Sequence, residues 1–402
     1  MTQKSSLGSG FQALFYGSMW SNIGDGIRLA ALPLLAASIT SSPLLIASVT
    51  AAQYLPWLIF APAGGALVDR WNRRRTILIT QTWRGLVVTA LAVLVFTSNV
   101  AIWQLCVVAF AITLGEILVD PSTVALVPTL VTDDELDRAN SRISSVEVVT
   151  NDFAGGPLGA ALFIAAPWIP FAIDAASYLG SVLPFSKLPR STSAATSSTT
   201  RCPSQTSLVA EARAGFRWLR RHEILGPLTL AYVVYFFGIA TNLSLLVVLV
   251  QNELDGGKAA FGWVLAIGAV GAFVGTLIGA RVSRTVGAQL SLTGTVALQA
   301  VTLIAAAMAP SLPVLMIVWS LNGLGAGVQR PISRSLQQRL TPNEMLGRIN
   351  VTSRIFTRGV IVIGSLAAGG LATRTGVRAS FVMAGFAQLV AATMVWIAVG
   401  RR

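Results

Sequence analysis

The sequence predicts an all-α membrane protein with twelve transmembrane helices in two pseudo-symmetric six-helix bundles. Three observations carry this. Charged side chains make up 11% of the 402 residues, against roughly 25% in soluble domains. Hydrophobic residues make up 54% and the mean hydropathy is +0.70, which leaves too little polar surface to cover a soluble protein of this length. The apolar residues also recur in uninterrupted runs of membrane-crossing length, and together these features exclude a soluble enzyme. The net charge of +13 could suggest nucleic acid. The positive residues lie between apolar runs and not on a soluble basic face, so the anionic cytoplasmic leaflet is the expected counterpart.

About 20 apolar residues cross ~30 Å of hydrocarbon at 1.5 Å per residue. In order, the qualifying runs are Phe11 to Ile39, Pro43 to Val68, Thr76 to Thr97, Ala101 to Leu126, Ile143 to Ala166 and Ile169 to Phe185. The second half supplies Leu225 to Val250, Phe261 to Ala280, Leu290 to Met308, Pro313 to Val328, Ile349 to Ala372 and Ala379 to Val399. Asn22, Asp25 and Arg28 interrupt the first run, which is also too long for a cleaved signal peptide and is expected to stay in the mature protein. Trp71, Trp103, Trp168 and Trp263 fall near span ends, where tryptophan anchors at the interface.

Basic residues set the expected orientation. One set of connections carries Arg70, Arg73, Arg74, Arg75, Arg138, Arg142, Arg281, Arg284, Arg334, Arg339 and Arg348, whereas the opposite set carries Lys258, Arg374 and Arg378. Both termini are therefore expected on the cytoplasmic side of the cell (inner or plasma) membrane. Composition changes between Lys187 and His222, where Ser191 to Ser207 is rich in serine and threonine and reads as a flexible linker. Glu211, Arg213, Phe216, Arg217, Trp218, Leu219, Arg220 and Arg221 follow as a basic amphipathic helix suited to the inner membrane face. The expected domains are thus 1–186, a linker at 187–222, and 223–402, with His222 expected as a solvated surface group.

The halves repeat at an offset of about 210 residues. Gly65-Ala66-Leu67-Val68-Asp69-Arg70-Trp71-Asn72-Arg73-Arg74 answers to Gly279-Ala280-Arg281-Val282-Ser283-Arg284-Thr285-Val286-Gly287, with the glycine and first arginine matched. Glu135-Leu136-Asp137-Arg138-Ala139-Asn140 answers to Glu344-Met345-Leu346-Gly347-Arg348-Ile349-Asn350. In such paired bundles the substrate site lies near the midplane between rocking halves.

The first of these segments resembles the major facilitator superfamily's loop pattern G-x-x-x-D-R-x-G-R-R, with Asn72 in place of the second glycine. Asparagine tolerates a left-handed backbone, so the turn is expected to keep that conformation. The resemblance implies a cytoplasmic gate of Gly65, Asp69, Arg70, Arg73 and Arg74, with Asp69 at the N-terminus of span eleven and Arg354 or Arg358 as its charge partner. The alternative is that these arginines only set topology. Gly155-Gly156-Pro157-Leu158-Gly159 in span five is similar to the G-P-x-x-G pattern of the superfamily's antiporters, implying a hinge at Gly155, Gly156, Pro157 and Gly159. Close helix packing explains the same residues equally well. Gly24-Asp25-Gly26, Glu135 to Asn140 and Gly347-Arg348-Ile349-Asn350 extend the resemblance to the export branch that includes enterobactin, macrolide and tetracycline efflux proteins. Span four departs from other drug antiporters, with Glu116 and Asp120 where an arginine motif is expected.

Ionisable residues at membrane depth mark a transport pathway or a buried pair. Here they are Asp25 and Arg28 in span one, Arg84 in span three, Glu116 and Asp120 in span four, and Glu147 and Asp152 in span five. One reading has Asp25 and Glu116 exchanging protons as substrate comes and goes, because burial and a nearby cation pull on a carboxyl in opposite senses. The other has permanent pairs, Asp25 with Arg28 and Glu116 or Asp120 with Arg84. The expected function is proton-coupled efflux of a small amphipathic molecule by alternating access, in a monomer with the lipid bilayer, protons and a small-molecule substrate as its partners and no nucleic acid. An importer or lysophospholipid translocator on the same scaffold is the rival within transport. No G-x-x-x-x-G-K-[ST] segment occurs, so ATP is not the expected energy source. Only two cysteines and a single histidine, the histidine distant from the carboxylates, leave no metal site, cofactor or catalytic triad to expect, so an embedded enzyme is disfavoured.

Overall fold

The computed structural model describes residues 7–147, 149–150, 154–189, 216–342 and 346–400, excluding the side chains of 61–70, 133, 137, 147, 346–348 and 350–351. The first half contains α1 (Ser9–Ile39), α2 (Pro43–Arg70), α3 (Arg73–Phe96), α4 (Ile102–Leu130), α5 (Leu136–Glu147), α6 (Gly155–Ala165) and α7 (Ile169–Ser186). After a short helix at 216–221 come α8 (Leu225–Val248), α9 (Gly257–Ala307), α10 (Leu312–Leu340), α11 (Leu346–Thr375) and α12 (Val377–Val399). Among the described residues, eight helices are long and apolar enough to cross a membrane, and α9, at 51 residues, accommodates two of the predicted spans. The twelve expected spans fit these helices, with span five divided between α5 and α6.

The ends depart from the sequence expectation where polar residues extend a helix beyond the hydrocarbon. α3 starts three residues before the predicted Thr76, because the Asn72 side chain accepts a hydrogen bond from the Arg75 backbone N–H at 3.1 Å. Asn72 has φ −67° and ψ 108°, so the expected left-handed turn is corrected to an extended N-cap. The matching connection in the second half uses Gly287 at φ 82° to break α9 into two arms, so Arg281 and Arg284 lie within helical turns and not in an open loop. α10 runs on past the predicted Val328 to Leu340, through Pro331.

His222 is also corrected. It is half-buried, its ring lies 4.8 Å from that of Trp218, and its Nδ1 accepts from the backbone N–H groups of Ile224 at 3.2 Å and Leu225 at 3.1 Å. These donors would otherwise be unsatisfied at the start of α8. Leu219, on the preceding short helix, is buried with Leu225 and Leu228, whereas Glu211 and Arg213 of the predicted amphipathic helix lie outside the described residues.

Contacts gather residues 1–32 and 60–205 into one compact unit and 33–59 with 206–402 into another. In the first, Phe11, Leu14, Ile77, Leu126 and Phe185 form a buried core. In the second, Leu225, Leu228, Leu292, Val328 and Val395 do so. The early part of α2 belongs to the second unit because it lies along α11 and α8. A Cβ on Gly369 would meet Leu44 and Ala47, and Thr50 Oγ1 donates to the Leu243 carbonyl at 3.4 Å. Elsewhere in that unit, Gly271, Gly275, Gly323 and Gly327 bring the first arm of α9 and α10 into backbone contact. Lipid supplies no hydrophobic force between helices, so such close approach is a main source of attraction. Large apolar side chains point outward instead, among them Leu183 at 71%, Trp103 at 66% and Trp263 at 63% exposure, as a lipid-facing surface requires.

Candidate functional site

The buried charges of the first unit meet on three helices. α1 contributes Asp25 and Arg28, α3 contributes Gln81 and Arg84, and α7 contributes Asp174 and Tyr178. Each pair is three or four residues apart, so each helix presents both members on one face. Asp25 Oδ1 accepts from Arg28 Nη2 at 2.6 Å, from Arg84 Nη2 at 2.9 Å and from the Tyr178 hydroxyl. Tyr178 in turn accepts from Arg84 Nη2 at 2.6 Å, and the Arg84 guanidinium carbon lies 4.1 Å from the centre of the Tyr178 ring. Arg84 Nη1 donates to Gln81 Oε1 at 3.3 Å, and Arg28 Nε pairs with Asp174 Oδ2 at 3.0 Å.

Two carboxylates thus face two guanidiniums, and the formal charge is balanced. The side chains of Arg28, Arg84 and Asp174 are at most 5% exposed, whereas Asp25 is 20% exposed and is the member of the network that reaches an open surface. Such close association demands small neighbours. A Cβ on Gly24 would strike Ser177 and Asp174, and one on Gly26 would strike the Thr150 carbonyl and approach Gly155 Cα at 3.1 Å. Gly155 and Gly159, one turn apart on α6, are closed against the α1 backbone at Gly26 and Ile27. Gly24-Asp25-Gly26 and the Gly-Pro segment, remote in sequence, are therefore two sides of one helix crossing. Gly156 and Pro157 lie beside it, half-buried.

Asp25, Arg28 and Arg84 come together from the residues singled out in the sequence. Glu116 is half-buried beside Gly115, whose position abuts the Arg84 stem at 2.9 Å, and it acts electrostatically on Arg84 without forming an ion pair within 4 Å among the described residues. Asp120 is also half-buried, one turn further along α4. The Glu147 side chain and Asp152 lie outside the described residues, as do the side chains of Asp69 and Arg70 beside Gly65. Arg73 Nη1 donates to the Ala125 carbonyl at 3.1 Å and Arg74 Nη2 to the Ser186 carbonyl at 2.6 Å, so both tie helix ends within the first unit. In the second unit, Arg354 and Arg358 of α11 lie over aromatic rings of α2. Arg354 is 5.9 Å from the Trp57 ring centre, and Arg358 is 5.4 Å from Tyr54 and 5.6 Å from Trp57.

Sequence reasoning missed Asp174 and Tyr178. The available signal was that Asp174 is the one charged residue between Ile169 and Ser186, with a tyrosine four residues on. Among the described residues no three histidine, cysteine or acidic side chains cluster as a metal site would require.

A family model described as transmembrane secretion effector, within the major facilitator superfamily, matches residues 7–400. The multidrug efflux pump Tap of Mycolicibacterium fortuitum is 25% identical over 386 residues, covering 92% of this chain and 90% of that protein. Macrolide efflux protein A of Streptococcus pyogenes is 22% identical over 387 residues, covering 93% and 92%. A bacterial homologue of the iron transporter ferroportin shares the fold, with a TM-score of 0.73 at 19% identity over 99% of both chains. So does a bacterial homologue of the human lysosomal transporter Spinster, with a TM-score of 0.72 at 14% identity over 99% of this chain and 98% of that one. The all-α architecture, the outward-facing apolar surface and a match over nearly the whole length agree. The chain is a multi-pass membrane transporter, not an enzyme, and it belongs to the transmembrane secretion effector family of the major facilitator superfamily.

Proposed function

We propose that this transporter exports small amphipathic molecules in exchange for protons, by alternating access. The observation that carries the reading is the pairing pattern in the first unit. Three donors from Arg28, Arg84 and Tyr178 converge on Asp25 Oδ1, so neutralising that carboxylate would weaken charge-assisted hydrogen bonds to two guanidiniums. Glu116 stands next to the network, half-buried, with no ion pair within 4 Å among the described residues. We assign the exchanged proton to Glu116, and Asp25 would feel a change of charge there through Arg84, which both acids touch electrostatically. Relatives named as efflux pumps support the outward direction.

Around this site the reading has two six-span bundles, 1–186 and 223–402, joined by the linker at 187–222. Both termini lie in the cytoplasm, and the protein works as a monomer. Gly65, Asp69, Arg70, Arg73 and Arg74, with Arg354 and Arg358, would form the cytoplasmic gate, and Gly155, Gly156, Pro157 and Gly159 the flexible part of span five. Efflux into everted vesicles, with and without an imposed proton gradient, tests the coupling. Glu116→Gln is expected to abolish the gradient dependence and Asp25→Asn to weaken it strongly. Unchanged proton dependence in both variants would refute the assignment.

A further inference from the structure

Within the second unit, the early part of α2 and the last turns of α11 touch on one side and part on the other. A Cβ on Gly369 would lie 2.6 Å from Ala47 Cβ and 3.0 Å from Leu44 Cα, whereas nothing lies within 4 Å of a Cβ at the next residue, Gly370. On that open side Leu44 of α2 and Leu366, Gly370, Leu371, Thr373 and Arg374 of α11 line a groove of about 440 Å³. Leu366 and Arg374 are eight residues apart, so the groove runs roughly 12 Å along the helix. It starts within the apolar stretch Thr352–Thr375 and ends at the last turn of α11.

The two ends differ in chemistry. Leu44 and Leu366 are 39% and 41% exposed, and Leu366 lies at membrane depth, so lipid is the medium that covers the apolar part. At the other end, Thr373 Oγ1 donates to the Gly369 carbonyl at 2.8 Å and is spent within the helix. Arg374 is exposed there and brings a full positive charge to the mouth. Its neighbour Arg378 is committed elsewhere, to Glu253 at 3.0 Å and to the Ala307 and Ala309 carbonyls at 2.8 and 3.2 Å. An apolar trough with a guanidinium at its polar end matches an amphiphile with an anionic head.

We propose that this groove holds one phospholipid with an anionic headgroup, drawn from the leaflet away from the arginine-rich connections. The phosphate sits at Arg374, whose forked donors suit it, and one acyl chain lies along Leu366, Gly370 and Leu371. Bulk lipid competes for the apolar part on equal terms, so selectivity rests on the headgroup. Phosphatidylcholine has the same phosphate but carries an ammonium beside it, which opposes the guanidinium. The assignment goes beyond the export reading and is tested without transport.

The full chain in detergent, titrated with an equimolar mixture of palmitoyl-oleoyl phosphatidylglycerol and phosphatidylcholine, is read by native mass spectrometry. Phosphatidylglycerol also gathers at the arginine-rich connections, so the measure is the difference between variants. Wild type is expected to retain one phosphatidylglycerol that Arg374→Gln binds roughly tenfold more weakly, about what one charge-assisted contact confers. Arg374→Lys should keep binding within about threefold, which shows that the helix end still folds. Gly370→Leu fills the groove, leaves Arg374 in place and should lose the same lipid. Equal retention of the two lipids, retention of neither, or phosphatidylglycerol binding unmoved by Arg374→Gln would overturn the proposal. So would a lysine variant as weak as the glutamine one, or Gly370→Leu binding like wild type, which would leave the chain no seat in the groove.

Discussion

The balanced network makes a quantitative prediction about pairs of substitutions. Asp25→Asn leaves Arg28 and Arg84 facing Asp174 alone, and Arg84→Gln leaves Asp25 and Asp174 facing Arg28 alone. Removing one partner of a buried pair costs about 3–5 kcal/mol, because the other charge stays desolvated. With Asp25 at 20% exposure and Arg84 at 2%, Asp25→Asn belongs at about the lower figure and Arg84→Gln at about the upper. At about 2 °C per kcal/mol for a large chain, this is a fall in melting temperature of roughly 6 °C and 10 °C. The double variant restores neutrality, since Arg28 and Asp174 remain paired at 3.0 Å. Its loss should therefore fall short of the sum of the single losses by roughly 2–3 kcal/mol, leaving it within about 1 kcal/mol of Arg84→Gln. Thermal unfolding of detergent-purified protein, followed by tryptophan fluorescence, measures all four corners of the cycle. A double variant whose loss equals the sum of the singles would refute the charge-balance argument.

Two further outcomes follow from the same geometry. Tyr178→Phe keeps the ring against Arg84 but removes the hydroxyl that bridges Arg84 and Asp25. It should cost about 1–2 kcal/mol in the same melting assay, and a loss as large as that of Asp25→Asn would contradict the assignment of the main term to charge. Gly159→Ala places a methyl against the Ile27 carbonyl, whereas nothing lies within 4 Å of a Cβ at Gly180 of α7. The first should destabilise by about 1–3 kcal/mol and the second should raise stability by about 0.5–1 kcal/mol through helix propensity; melting curves that rank the two the other way would show that the α1–α6 crossing is loose.

Much of the architecture was legible because a membrane imposes a length. Any run of about 20 apolar residues must be a helix or leave its backbone unsatisfied in hydrocarbon, so the spans could be placed from Phe11 to Val399 by counting. Boundaries were less legible where polar caps, and not hydropathy, ended or began a helix. Asn72 and His222 both serve helix starts through side-chain acceptors, a role that depends on local backbone direction. Glycine motifs were visible as motifs, but their partners were not. That Gly26 abuts Gly155 depends on how α1 crosses α6, which no single helix encodes.

The candidate site shows the same division. Asp25, Arg28, Arg84 and Glu116 drew notice as charges in apolar runs, and the i, i+3 spacing of Asp25 and Arg28 made their pairing predictable. Asp174, Tyr178 and the link from Arg84 to Asp25 rather than to Glu116 required the packing of three helices whose contacts span up to 153 residues of sequence. The same holds for the ring contacts of Arg354 and Arg358 with Trp57 and Tyr54, which no spacing in the sequence announces. Taken alone, the sequence determined that the chain spans the membrane and which charges fall within its apolar runs. The tertiary structure decided which of those charges pair in the first unit, because electrostatic energy in a low-dielectric interior depends on distances of a few ångströms that hydropathy and spacing do not contain.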